Sequence, residues 1–274
     1  MWMRTDLAAE ARELTGSLRG VTEEKETRGG IDIVHIAIRT QAAAVRLDKP
    51  VGDYVSIEAD KIADRDPDAF ERVADAVADA LDELVGKLPR ADTVLVVGLG
   101  NRFVTPDALG PRTVEKLCVT RHIREQANDL APQGMRSVAA IAPGVLGITG
   151  LETIDVVQGL AEQIKPDCII CIDALASRKA SRISTVVQLN NSGILPGAGV
   201  NNRQQGLNCE TLGVPVIAVG VPTVVYASTI VMETLAAINS KTEGGRSADA
   251  LFSLVDGTMR EQFGTMIVTP KDID

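Results

Sequence analysis

Two aspartates carry the chemistry that this sequence can be read for. Asp107 lies in Val94-Leu-Val-Val-Gly98-Leu-Gly-Asn101-Arg-Phe-Val-Thr-Pro-Asp107-Ala-Leu-Gly110-Pro111, just past a four-residue apolar run that stops at Gly98. Asp173 closes a second apolar run, Cys168-Ile-Ile-Cys-Ile-Asp173. Two carboxylates held close cannot both ionise cheaply, because mutual repulsion raises one pKa, so the pair shares a proton. One member then activates water while the other protonates or polarises a carbonyl, which suits peptide-bond hydrolysis without a metal or a serine. Such a pair titrates as a unit, so acid and base stay unassigned at this level. The same carboxylates could ligate a divalent ion, or each could simply cap a turn or helix.

The elements around them must bring the two together. The run before Asp107 reads as a buried strand whose C-terminal end presents polar groups, Asn101 among them, at the lip of a sheet; ligands bind there in open α/β folds. Pro111 suits the first turn of a following helix. The chain between the aspartates has room for the helices and strand of one or two βαβ crossovers. If both strands run parallel, both carboxylates share one edge.

Around this pair, alternation over Ile31–Ile38 predicts a strand with one wet face, and Pro50–Ile57 a turn and second strand. A helix opens at Asp66-Pro-Asp and ends near Gly86, its apolar positions (Phe70, Val73, Val77, Leu81, Leu84) at three-to-four spacing. A helix is expected over 114–123, a strand over 138–142, a glycine-rich turn over 143–150 and a helix over 151–164 that stops before Pro166. That turn lacks the Lys-Ser/Thr of a P-loop and the G-x-G-x-x-G spacing, so a tight turn or substrate-contact loop is expected. Residues 184–189 read as a strand, 214–223 as a buried strand ending in a turn at Pro222-Thr223, and 226–238 as a helix. The small, polar stretch 178–206 reads as a lid, a substrate groove or an irregular insertion. Residues 1–30 read as a peripheral N-terminal extension and 31–274 as one α/β domain. The expected class is therefore α/β, three-layer, with a mostly parallel sheet flanked by helices.

The 274 residues are 45% apolar but only 3% aromatic, so the core must be built from Val, Ile, Leu and Ala. A net charge of −9 with no Lys/Arg block speaks against duplex nucleic acid or an anionic membrane as partner. No N-terminal apolar segment resembles a signal peptide, and no run approaches the roughly 18 residues that span a bilayer; a cytoplasmic protein is expected. Cys168 and Cys171 form a C-x-x-C, but on a strand positions i and i+3 point to opposite faces, so structural cysteines are expected. His35 reads as a packed or surface histidine and His122 as the better functional one. G-x-S-x-G, H-E-x-x-H and dense His/Cys clusters are absent from the sequence, which removes the commonest serine and zinc hydrolases.

Several long segments resemble the germination protease (spore protease) family. They are Arg4-Thr-Asp-Leu-Ala8, Gly98-Leu-Gly-Asn101, Val104-Thr-Pro-Asp-Ala-Leu-Gly-Pro111, Val119-Thr-Arg-His122 and Gly150-Leu-Glu-Thr-Ile-Asp155. Lys165-Pro-Asp167, Ile172-Asp-Ala-Leu-Ala176, Glu210-Thr-Leu-Gly-Val-Pro-Val216 and Gly220-Val-Pro-Thr-Val224 continue the match in order along nearly the whole chain. The resemblance implies an aspartic-type endopeptidase that degrades small acid-soluble spore proteins during germination, in the forespore or spore core, with Asp107 and Asp173 as catalytic residues and neither cofactor nor metal. It also implies a fold similar to hydrogenase-maturation peptidases, whose signature is echoed by Gly98, Gly100, Asn101, Asp107 and Gly110.

The family is made as homotetrameric zymogens that cleave off their own propeptide. Its substrates are cut after Glu, before an apolar residue that small residues and another Glu follow. Asp6-Leu7-Ala-Ala-Glu10 resembles that pattern, so Asp6–Leu7 is the expected processing bond. Only six residues precede Leu7, a shorter pro-segment than the family has, and the family continues with a helical tail where this chain stops. Arg178, Arg182 and Arg203 are candidate partners for an acidic substrate residue, since a guanidinium grips a carboxylate bidentately. Two alternatives stay open: a metal-assisted maturation-like peptidase gripping nickel or a similar ion with its carboxylates and His122, and a non-catalytic binder of spore proteins.

Overall fold

The computed structural model describes residues 5–60, 67–127, 129, 131–196, 205–231, 233–234 and 266–270. These form a nine-stranded mixed sheet with helices on both faces. In chain order the strands are β1 (Val21–Arg28), β2 (Ile31–Ile38), β3 (Gly52–Glu58), β4 (Thr93–Gly98), β5 (Ser137–Ile141), β6 (Cys168–Ser177), β7 (Val186–Asn190), β8 (Val216–Tyr226) and β9 (Ile267–Val268). The helices are α1 (Ala8–Thr15), α2 (Gln41–Leu47), α3 (Pro67–Gly86), α4 (Leu109–Lys116), α5 (Arg121–Gln126), α6 (Leu146–Thr149), α7 (Thr153–Ile164) and α8 (Cys209–Leu212).

Across the sheet the order is β1-β2-β3-β7-β8-β6-β4-β5, with β9 on the far end of β8. The expectation of a mostly parallel sheet is corrected. Only β5, β4, β6 and β8 run parallel to one another. The pairings β1–β2, β2–β3, β3–β7, β7–β8 and β8–β9 are all antiparallel. The parallel strands are the ones that read as continuous apolar runs, as strands covered on both faces do. In the antiparallel half β1 is exposed along its length, and the first hairpin turns on Gly29-Gly30, both at positive φ, the conformation a two-residue hairpin demands.

Alternation places one core on each face. Ile33, Val55, Ile57, Leu189 and Ile217 pack under α3, while Ile36, Ile38 and Tyr54 of the same hairpins pack under α1 and α2 on the other side. Cys171 joins Leu95, Val97 and α7; Cys168 joins Val94 and Val96 on the opposite face. The C-x-x-C is split as strand geometry requires, and burial pushes the Cys168 thiol up to about 11.

Four local readings change. Residues expected to be peripheral include α1, whose Ala8, Ala9 and Ala11 are buried, although β1 is indeed an exposed edge strand. The helix expected over 114–123 is broken into α4 and α5. Thr120 leaves the helix to donate its hydroxyl to Arg136 O (2.6 Å) and to accept from Val138 N–H (2.9 Å), stapling the turn to β5. Strand β6 does not end at Asp173 but runs to Ser177. Strand β8 passes through Pro222, expected to be a turn, by way of a bulge: Leu175 faces Pro222 while Ala176 faces Val224. A bulge tolerates proline's missing N–H. From 227 the chain is helical as expected, though most of the segment to 238 lies outside the described residues.

Candidate active site

The turn that carries Asp107 is brought up against β6, within the charge field of Asp173, because backbone passes backbone with no side chain between. Strand β4 ends at Gly98, level with Ile172 of β6, and Leu99 N–H donates to Ile172 O (2.8 Å). The chain then turns through Gly100, whose φ of +109° is closed to ordinary L residues, and a methyl there would stand 2.9 Å from Asp107 Oδ1. A short 3-10 turn, Thr105–Asp107, delivers Asp107. Helix α4 follows, its Gly110 pressed so closely on the backbone of Leu99 and Ile172 that a methyl would lie 2.5 Å from Ile172 O. Thr223, the residue skipped in the β8 bulge, donates its hydroxyl to Pro106 O (2.6 Å) and ties the Asp107 turn to the central sheet.

Asp107 is half-buried and accepts from Asn101 N–H (2.7 Å). Burial raises its pKa, partly offset by that hydrogen bond. The Asn101 side chain accepts from Phe103 N–H (3.0 Å) and so shapes the same loop. Asp173 is 7% exposed and accepts from the N–H of Ala174 (2.9 Å). Burial pushes its pKa well above the carboxylate range. The charge of Asp107 adds to this, the Ala174 N–H opposes it, and the charge of Asp6 raises it further.

The influence of Asp6 reflects where the N-terminal strap lies. Beyond Gly98, β6 has no β4 neighbour, and Asp6 takes the free edge: Asp6 N–H donates to Ala176 O (2.9 Å) and Ala176 N–H donates to Asp6 Oδ2 (2.7 Å). Leu7 is fully buried against Leu175, Val186 and Ile194. Gln188 brackets the Asp6–Leu7 bond, its Nε2 donating to Asp6 O (3.0 Å) and its Oε1 accepting from Ala8 N–H (2.6 Å). Lys49 donates to Thr5 O (2.8 Å); burial lowers the pKa of its ammonium, while Asp6, Asp48 and Glu10 oppose that. Glu10 is fully buried. It accepts from the N–H groups of Arg178 (2.6 Å) and Lys179 (2.9 Å) and from the Thr5 hydroxyl.

The candidate arginines divide. Arg182 donates to Glu58 (3.0 Å) and Glu13 (3.0 Å), with Glu10 at 3.9 Å. Arg178 lends its backbone to Glu10, and Arg203 lies outside the described residues. His35 faces Glu26 at 3.1 Å on the exposed hairpin, and His122 is exposed on α5. Among the described residues no group of three His, Cys, Asp or Glu is arranged to hold a metal ion, and no helix is long and apolar enough to cross a membrane.

Lys49 and Gln188 carry no signal in the sequence. Each is a single polar residue whose partners in the strap lie far away along the chain. Only the likeness of Asp6–Glu10 to a cleavage sequence hinted that this strap belonged to the site.

A pair of carboxylates at the end of a parallel strand pair, both lifted in pKa, is the equipment of an aspartic-type hydrolase. A model of the Germination protease family matches residues 2–247. The chain is 45% identical over 287 residues to a germination protease of Caldanaerobacter subterraneus subsp. tengcongensis, covering 99% of this chain and 88% of that protein. It is 42% identical over 291 residues to one from Clostridium perfringens, covering 99% and 89%. With one from Bacillus velezensis it shares 42% identity over 243 residues, 85% of this chain and 66% of that one. The chain belongs to the germination protease family and is a peptidase of the aspartic type.

Proposed function

We propose that this protein is an endopeptidase that hydrolyses small acid-soluble spore proteins during germination, cutting after Glu with Asp107 and Asp173 as its catalytic pair. The observation that carries this reading is the seat of Asp6–Leu7, a bond whose surroundings resemble the family's cleavage pattern, strapped to the free edge of β6 within the field of Asp173.

Burial and its neighbours' charges make Asp173 the member that keeps the shared proton. Asp107, less buried, is the base. Asp107 takes a proton from water as the oxygen adds to the carbonyl carbon, and Asp173 gives its proton to the carbonyl oxygen, leaving a neutral gem-diol. Asp107 then hands its proton to the departing nitrogen while Asp173 recovers one from the diol, and the C–N bond breaks. Each step conserves protons, and both groups return to their starting states.

The same apparatus, turned on Asp6–Leu7, would process a zymogen. Homotetramer formation follows from the family resemblance, and exposed Phe103 (80%), Ile148 (55%) and Leu151 (56%) offer apolar surface for subunit or substrate contact. Incubating the purified protein with a small acid-soluble spore protein, with and without EDTA, and reading products by mass spectrometry tests the proposal. Cuts after Glu that survive EDTA support it. Cleavage lost to EDTA transfers the reading to a metal peptidase, and tight binding without cleavage transfers it to a binder.

A further inference from the structure

We propose that Gln188 is a third catalytic residue, the hydrogen-bond donor that polarises the scissile carbonyl and steadies the partial negative charge on its oxygen as water adds and Asp173 protonates it. The proposal rests on the reading of Asp6–Leu7 as a bond this site cleaves.

The geometry is specific to that bond. Gln188 Nε2 donates to Asp6 O, the carbonyl oxygen of the Asp6–Leu7 peptide, at 3.0 Å, and Oε1 accepts from Ala8 N–H at 2.6 Å. The orientation of the side-chain amide follows from its partners, since a carbonyl needs a donor and an N–H needs an acceptor. Both contacts together hold the peptide on either side of the bond to be broken. Gln188 is only 4% exposed, so the hydrogen bond acts out of water, where a fixed donor is worth most.

Register places this donor opposite the carboxylate. Gly220 of β8 pairs with Asp173 on one side and with Gln188 on the other. Residues directly paired across a sheet project from the same face, and two strand spacings of ~4.8 Å put the two Cα atoms about 10 Å apart. The residue between them has no side chain, and Leu175 folds into the space a Cβ there would take, forming the apolar seat on which Leu7 packs. A carbonyl oxygen has two lone pairs. Gln188 occupies one, which leaves the other for a proton donor. The donor is already in place in the uncut chain and needs no reorganisation as charge develops. In reaction with a spore protein, the residue before the cut would take the place of Asp6 and its carbonyl the same amide.

The experiment compares wild type with Gln188→Met, which keeps volume but has no donor, and Gln188→Glu, which keeps the acceptor for Ala8 N–H. The first-order rate of Asp6–Leu7 self-cleavage is followed by mass spectrometry, and kcat and KM are measured on a small acid-soluble spore protein. Thermal melts and circular dichroism confirm folding, and Gln188→Glu stands in should Gln188→Met fail to fold. Losing one such donor lowers kcat on the order of 10²-fold. That loss at saturating substrate in a folded variant, with self-cleavage slowed alike, supports the assignment. Wild-type kcat with only a raised KM makes Gln188 a docking residue and overturns it. A wild-type protein that cuts spore protein but never Asp6–Leu7 overturns the strap as a guide to the site, and the assignment with it. A wild-type protein that cleaves neither overturns the proposed function itself.

Discussion

Replacing Gly110 by alanine should cripple this protein through a single methyl group. An ideal Cβ at 110 would overlap the backbone N and O of Leu99 and stand 2.5 Å from Ile172 O. All three are main-chain atoms that no rotamer change can move. Overpacking of this kind costs about 1–3 kcal/mol. Pushing α4 off also strains the Leu99 N–H to Ile172 O bond (2.8 Å), worth ~1 kcal/mol. A loss of about 3 kcal/mol follows from the two together, which at a urea m-value of ~3 kcal/mol/M lowers the midpoint by about 1 M. Because Gly110 follows Asp107 so closely, the same displacement moves Asp107 relative to Asp173, and a 1 Å error can cost about 10²-fold in rate. Gly159, on the exposed side of α7 with nothing within 4 Å of an added methyl, is the control. Its alanine variant should gain roughly 0.5–1 kcal/mol and keep full activity. Urea titration and spore-protein cleavage of both variants are the assay. A Gly110→Ala protein with wild-type midpoint and wild-type rate would refute the backbone contact as the device that registers the two carboxylates.

Two further outcomes follow from the same geometry. Asp173 has its folded-state pKa raised, chiefly by burial and then by Asp107, so the folded protein keeps a proton that the unfolded chain releases above about pH 4. Its contribution is therefore fully favourable below that pH and is lost as pH rises through the folded value. Asp173→Asn should melt higher than wild type at neutral pH, with the gap closing toward pH 4. A gap that widens on acidification would reverse the sign and contradict the assignment. Leu7, fully buried against Leu175, Val186 and Ile194, should lose about 3 kcal/mol on truncation to alanine. Unfolding at the wild-type urea midpoint would show that the strap is not docked in solution.

Much of the candidate site's edge was legible because it is local. The apolar run that stops at Gly98, and the Asn101, Asp107 and Pro111 that follow it, sit within a few residues of one another, and strand, turn and helix form as that spacing suggests. What escaped the sequence is what distant segments do to one another. Asp173 in an otherwise apolar run read as a strand end, yet β8 continues alongside and keeps β6 extended to Ser177. Strand direction escaped too: the pattern of Val186–Asn190 reads as a strand whichever way it runs, and only its partners β3 and β8 make it antiparallel. Arg182 read as a free guanidinium near an acidic substrate. Its three carboxylates come from α1 and β3, more than a hundred residues away. Gln188 is one polar letter in Val-Val-Gln-Leu, and its meaning lies in Asp6 and Ala8 at the other end of the chain.

The central claim is that Asp107 and Asp173 together hydrolyse the peptide bond. The direct measurement is cleavage of a small acid-soluble spore protein by wild type, Asp107→Asn and Asp173→Asn side by side, each shown to be folded and each assayed with and without EDTA. Cuts after Glu that persist in EDTA for wild type and vanish in both variants are the predicted result. Wild-type cleavage by either folded variant would contradict it.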